Sequence, residues 1–113
     1  MKNNEIRVLG NLVKDPEIIE TDKISFSKIR IATNTRYNKG PDNFNERSCF
    51  IDVKLFGRAH SDFQYYTPQK GDRVFIDGEL VYEEWTDSNG NARSNYVIHA
   101  NSLLKIHRNA KVT

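Results

Sequence analysis

The sequence of 113 residues predicts a single all-β domain, a five-stranded barrel with one short helix between its third and fourth strands and long hairpin loops. Three observations carry that expectation. Apolar residues recur with a period of two in five separate runs, as half-buried strands require. One segment, near residues 59–66, switches to the period of a helix. Gly and Pro fall between the β-like runs as punctuation, and neither an internal repeat nor a low-complexity segment divides the chain.

In the first run Ile6, Val8 and Leu12 alternate with Arg7 and Asn11. Gly10 interrupts it, where a missing side chain lets a strand bend as barrel closure requires. Asp15-Pro16 marks a turn. The second run covers residues 23–34, with Ile29, Ile31 and Thr33 on one face and Lys28, Arg30 and Asn34 on the other. Phe26 has the opposite parity to Ile29, which predicts a bulge or a change of face between them. Residues 37–47 are polar and turn-rich and read as a long irregular loop, a feature that in a compact domain is usually functional or mobile.

The third run, residues 48–56, is the most informative. Cys49, Ile51, Val53 and Leu55 share the parity that can fill a core. Phe50, Asp52, Lys54 and Phe56 share the other, so two rings and a lysine sit on a face that the apolar set does not need. Ala59, Phe63 and Tyr66 then follow helical i, i+4, i+7 spacing, ended by Pro68 and Gly71. The fourth strand carries Val74, Ile76, Leu80 and Tyr82 on one parity, with Gly78 between them, and reaches Trp85 on the other. Asp87-Ser-Asn-Gly-Asn91 reads as a hairpin turn, and the fifth strand returns through Tyr96, Ile98 and Ala100 to about Ile106.

Three strands, one helix and two strands is the order of the OB-fold, a five-stranded Greek-key barrel that takes oligonucleotides or oligosaccharides on one face and its long loops. Another small β-barrel with the same strand count is the runner-up. The barrel is expected to cover residues 1–106, leaving residues 107–113 as a short extension.

The hydrophobic fraction of 37% suits one packed core and not two. The formal net charge of +2, with both signs mixed, does not announce a nucleic-acid partner, so any binding surface must come from how the positive charge is placed. Cys49 is the only cysteine, which excludes an intramolecular disulfide and a cysteine metal cluster. No apolar run approaches the roughly 18–20 residues needed to cross a bilayer. The opening Met1-Lys2-Asn3-Asn4-Glu5 lacks the apolar core of a secretory signal, so a soluble, cytoplasmic protein with no membrane partner is expected.

No enzyme signature is present. His60, His99 and His107 are scattered without metal-ligand spacing, and His99, inside the last strand, reads as structural. There is no glycine-rich phosphate loop, and no nucleophile sits in a motif. Glu83 and Glu84 point to opposite faces of a strand and cannot share a site. No catalytic residue, metal or cofactor is therefore expected.

Binding a single strand of nucleic acid without reading its sequence asks for exposed rings on which bases stack, each worth about 1–3 kcal/mol. It also asks for cations beside them to neutralise phosphates. Phe50 and Phe56 with Lys54 between them meet both demands, and Tyr37 and Trp85 add rings at the roots of the two long hairpins. Lys28 and Arg30 face out of the second strand, Arg36 lies beside Tyr37, and Arg93 lies across the hairpin from Trp85. On the pattern alone each has a plainer reading. Phe50 and Phe56 could belong to the core, Trp85 could cap the barrel, and Lys28, Arg30 and Lys54 could be a solvated face. Phe44, in the loop, could stack on a base or pack against a neighbouring chain.

Several segments, in order, resemble the bacterial single-stranded DNA-binding protein family. They are Gly10-Asn11-Leu12 with Asp15-Pro16-Glu17, Ile31-Ala32-Thr33-Asn34, Asp52-Val53-Lys54-Leu55-Phe56-Gly57, Val74-Phe75-Ile76-Asp77-Gly78-Glu79-Leu80 and Trp85-Thr86-Asp87. Together they span about residues 4–105. The resemblance implies an OB-fold that assembles as a homotetramer, or a homodimer, and wraps single-stranded DNA in replication, recombination and repair. It implies base stacking on Tyr37, Phe50, Phe56 and Trp85; with the strand on that face, phosphates are expected to be met by Lys28, Arg30, Arg36, Lys54, Arg73 and Arg93. Tyr37 and Phe50 stand where some members carry tryptophan. The chain ends at Lys111-Val112-Thr113, without the family's linker and acidic tip. This suggests a tail-less phage- or plasmid-type or trimmed member, with no tail-dependent partners. Glu83 and Glu84 replace residues that are basic in many relatives and should repel phosphate along that hairpin. The rival from another class is an OB-fold adaptor of the primosomal kind, which would bind protein tightly and oligonucleotide poorly. Single-stranded RNA is a third ligand, because stacking does not distinguish the sugars.

Overall fold

The alternating runs become six strands and one helix in the computed structural model, which describes residues 2–41 and 43–107. In chain order they are β1 (Ile6–Leu12), β2 (Glu17–Glu20), β3 (Ser25–Gly40), β4 (Asn43–Leu55), α1 (Gly57–Tyr66), β5 (Arg73–Thr86) and β6 (Ala92–Ile106). The sheet order is β1-β5-β6-β4-β3-β2, and a further pairing of β1 with β3 closes five strands into a ring. β4 and β6 pair in parallel, whereas every other pairing is antiparallel. This is the expected OB-fold. The short β2, which the sequence reading passed over, lies outside the ring against β3. The helix thus separates the fourth and fifth strands of the chain, and the third and fourth of the barrel.

Closure turns on Gly10. β1 pairs with β5 from Ile6 to Asn11 and with β3 at Asn11 and Leu12, so its end is shared by two neighbours. A Cβ at Gly10 would stand 2.7 Å from the carbonyl oxygen of Ala32, which leaves room for no side chain. Inside the ring Leu12, Ile29, Ile31, Val53, Leu55, Val74, Ile76, Ile98 and Leu103 form the core, and α1 packs Ala59 and Phe63 against it. Two buried polar residues satisfy each other, with His60 Nδ1 3.1 Å from Ser27 Oγ. Thr67, in the left-handed conformation, ends α1 and donates its N–H to the carbonyl of Phe63.

Three local expectations are corrected. Residues 37–47 are largely not an irregular loop: β3 and β4 stay paired out to Tyr37↔Asn45 and beyond, as a two-stranded arm that outruns the barrel. Away from a core neither face needs apolar residues, so the alternation that would have revealed the arm is missing. No bulge separates Phe26 from Ile29, because the registers with β2 and β4 run unbroken through this part of β3. The buried Ser27 takes the inward position, and Phe26 faces out beside Lys28 and Arg30 in parity. The register shifts fall instead between Asn38 and Gly40 near the tip of the arm and between Asp77 and Gly78, which pair with Ser102 and Ala100 and leave Asn101 extra in β6. Finally Cys49, Leu80 and Tyr82 have core parity yet are exposed, since they lie where the strands extend past the barrel. The Phe44 side chain and residues 108–113, the bulk of the expected extension, lie outside the described residues.

Candidate nucleic-acid interface

Residues paired directly across a sheet point to the same side of it. In β3 and β4 the pairs are Lys28↔Lys54, Arg30↔Asp52 and Ala32↔Phe50. Lys54 in turn pairs with His99 in β6. By alternation along β6, Val97, Asn95 and Arg93 follow His99 to that side, and their partners Glu83 and Trp85 in β5 join them. Phe50, Lys54, Lys28, Arg30, Trp85 and Arg93 therefore share one outer face, as the parity of the sequence expected. Lys28, Asp52, Lys54, Glu83, Trp85 and Val97 are among the residues lining an open groove of about 700 Å³ in it.

The rings differ in what they offer. Phe50 is 55% exposed and Trp85 48%, open enough to receive a base. Phe56 is half-buried: Phe26 stacks on it at 4.9 Å and 28°, and His99 meets it edge-on at 5.1 Å. Phe26 is thus a ring of this face that the sequence reading did not assign, although its parity with Lys28 and Arg30 was the signal. Tyr37 departs from the others. It has the parity of Ile29 and Ile31, which puts it on the reverse side of the arm from Phe50. The Arg47 guanidinium lies 5.3 Å from its ring centre, and Asn45 Nδ2 donates to its hydroxyl at 3.4 Å. The fold gathers three of the four expected rings, with the fourth around an edge.

Several cations of this face sit beside a carboxylate or a ring, while Lys28 stands opposite Lys54 in the β3–β4 register. Arg30 Nη1 donates to Asp52 Oδ1 at 3.0 Å, and the Arg30 guanidinium carbon lies 5.8 Å from the centre of the Phe50 ring. Lys54 Nζ donates to Glu83 Oε1 at 2.8 Å. Arg93 Nε donates to Asp87 Oδ2 at 3.0 Å, and the same carboxylate caps the hairpin turn by accepting from the N–H groups of Asn89 and Asn91. Arg36 pairs with Glu46 on the arm, in the parity of Arg30. Arg73 is the phosphate candidate that the fold does not bring here. It lies opposite Asn11 and Ile106 and lines a separate cavity with Lys105 and His107. That is the other end of β5 from Trp85, about 40 Å along the strand.

Glu83 takes more than one partner. Its Oε2 accepts from His99 Nε2 at 2.8 Å while Oε1 accepts from Lys54. Burial pushes the Glu83 carboxyl up, but the hydrogen bonds and charges of Lys54 and His99 outweigh it and hold its pKa below the ordinary value. His99 is therefore not a bystander of the strand but holds a carboxylate that lines the groove. Among the described residues no three His, Cys, Asp or Glu side chains lie together in a way that could hold a metal ion, and no helix is long and apolar enough to cross a membrane.

The sequence model of the Single-strand binding protein family matches residues 3–106. The chain is 40% identical over 101 residues to the single-stranded DNA-binding protein of Wolinella succinogenes, covering 88% of this chain and 62% of that protein. To its Helicobacter pylori counterpart it is 36% identical, over 88% of this chain and 56% of that one. The chain thus spans about three-fifths of the length of these curated relatives. Among solved structures its fold is similar to the Plasmodium falciparum SSB complex with ssDNA, at a TM-score of 0.78 and 16% identity, covering 95% and 97% of the two chains. It is also similar to the small single-stranded DNA-binding protein from Streptomyces coelicolor, at a TM-score of 0.73 and 19% identity, covering 93% and 96%.

Proposed function

Because the chain belongs to the single-strand binding protein family, we propose that it binds single-stranded DNA without reading its sequence, across the face that carries Phe50, Phe56 and Trp85. One observation carries this reading: Phe50 on β4, Phe56 just beyond it and Trp85 on β5 stand on one outer face with Lys28, Arg30 and Lys54, around a groove lined by Lys28, Lys54 and Trp85. Bases stack on the rings, Arg30 and Lys54 exchange their carboxylate partners for phosphates, and Lys28 adds a further cation. Tyr37 meets the strand only where it crosses the edge of the β3–β4 arm. Arg36 and Arg93 extend the path along the two arms, and Arg73 is left outside it. The protein acts by binding rather than catalysis, in the replication, recombination and repair of DNA, from a cytoplasmic, nucleoid-associated location.

Self-association, as a homotetramer or homodimer, belongs to the same reading. Its support is a row of apolar residues on the outer face away from the groove, where Leu9, Phe75 and Leu104 stand in register across β1, β5 and β6. Leu9 and Leu104 are 41% and 46% exposed.

Titrating oligo(dT) into the protein while following Trp85 fluorescence, at two salt concentrations, tests the function. Quenching with tight binding that weakens as salt rises is the expected result. Weak binding with no quenching overturns it. The same titration with oligo(rU) reports whether the groove prefers DNA or RNA.

A further inference from the structure

Glu83 does something that the stacking mechanism neither needs nor explains. Its carboxylate lies in the groove between Lys54 and His99, with each oxygen receiving one hydrogen bond at 2.8 Å. All three side chains are about three-quarters buried, with exposures of 24%, 23% and 30% for Lys54, Glu83 and His99. A carboxylate held by an ammonium and an imidazole N–H presents two anionic oxygens to two donors, as a phosphodiester does. The cradle is built from two strands, since Lys54 and His99 are partners in the parallel β4–β6 pairing. Its occupant comes from a third, β5.

We propose that Lys54 and His99 form a phosphate-binding site of the groove, and that Glu83 is an internal gate that fills it until a phosphodiester of the bound strand displaces the carboxylate. The proposal rests on the groove being the binding face. It assigns His99 a direct contact with the ligand and makes Glu83 a residue that lowers affinity. The displaced carboxylate has somewhere to go, because it lies on the outer, solvent side of β5 beside Trp85. Lys54 then contributes less to affinity than its place between Phe50 and Phe56 suggests, since binding must first break its ion pair.

The test is a double-mutant cycle on oligo(dT) affinity, using the full chain, with thermal melting to verify that each variant is folded. One freed phosphate contact changes the salt slope by about 0.7 for a single strand, which is about fivefold in affinity at 0.1 M salt relative to 1 M. Glu83→Gln, which keeps the shape and removes the charge, is expected to tighten binding about fivefold and steepen the slope by about 0.7. Glu84→Gln makes the same change in net charge one residue away and is expected to give a smaller gain. Lys54→Gln is expected to cost little alone and about fivefold in the Glu83→Gln background, and His99→Ala to follow the same pattern. Additive effects, equal gains from the two glutamines, or weaker binding by a folded Glu83→Gln protein would each overturn the gate. If neither the parent nor Glu83→Gln binds oligo(dT), the groove itself is not the DNA site and both readings fall. Binding by the parent with an additive cycle removes the gate alone.

Discussion

Replacing Phe56 and Trp85 by alanine, in separate proteins, asks how the groove divides structural work from binding work. Phe56 already has Phe26 stacked on it at 4.9 Å and His99 at its flank at 5.1 Å. Trp85 is 48% exposed. A base stacked on a ring contributes about 1–3 kcal/mol, or about 5- to 150-fold at about 1.4 kcal/mol per factor of ten. Trp85→Ala removes an open platform and is expected in the upper part of that range, about 50-fold. Phe56→Ala removes a ring that is partly covered and leaves Phe26 beside the gap, so about fivefold is expected. Stability should show the reverse order. Truncating a fully buried Phe costs about 3–5 kcal/mol, and half that, about 2 kcal/mol, suits the half-buried Phe56. For a chain of 113 residues this lowers Tm by about 8 °C. Trp85→Ala should change stability by less than about 0.5 kcal/mol. Fluorescence anisotropy of labelled oligo(dT) and oligo(dC), with melting followed by circular dichroism, reads both. A Phe56→Ala protein that loses more affinity than Trp85→Ala at unchanged Tm would refute this division. So would a loss confined to one of the two homopolymers.

Gly10→Ala forces a Cβ to within 2.7 Å of the Ala32 carbonyl, so the β1–β3 closure must open; urea denaturation should show a loss of about 1–3 kcal/mol, and an unchanged midpoint would contradict it. Glu83 and Asp72 both have folded-state pKa values below the ordinary carboxylate value, Asp72 chiefly through the backbone N–H of Gln69 and then Lys105. The folded state therefore binds fewer protons than the unfolded chain in acid. Their stabilisation is present above about pH 4 and is lost as pH falls through the folded values. The urea midpoint should drop between pH 5 and 3, and by less in Glu83→Gln. On an oligonucleotide of about ten nucleotides, Lys28→Gln should flatten the salt slope by about 0.7 while Arg73→Gln leaves it unchanged; equal effects would place Arg73 on the path after all.

The barrel was legible because its core strands obey one rule, with Ile29, Ile31, Val53, Leu55, Val74 and Ile76 alternating against polar neighbours and ending buried. The same rule pulled Phe50 and Trp85 off the core and put them where the groove lies. It failed where burial stops. In the β3–β4 arm no core imposes alternation, so a paired ribbon read as loop. At Leu80 and Tyr82 apolar residues keep core parity after the core has ended, and Tyr82 instead pairs with Tyr96 in the open at 5.0 Å. The parity that Phe26 shares with Lys28 and Arg30 was the true signal, but an inward Ser27 made the pattern look broken and suggested a bulge that is not there. The bond that hides Ser27, to His60 on α1, is between residues remote in sequence. The Lys54–Glu83–His99 cluster was illegible for a similar reason, since it joins three strands through a parallel pairing that no local pattern encodes.

The central claim is that the strand lies across β4, β5 and β6 on the side of Phe50 and Trp85, and photocrosslinking tests it most directly. Oligo(dT) carrying 5-iodouracil at single positions would be bound to the protein and irradiated, and the adducts mapped by mass spectrometry. Adducts at Phe50, Phe56 or Trp85, moving from ring to ring as the iodouracil moves along the strand, are the predicted result. Adducts confined to Tyr82 and Tyr96 on the reverse of the β5–β6 arm, or to the Arg73 end of the barrel, would contradict it.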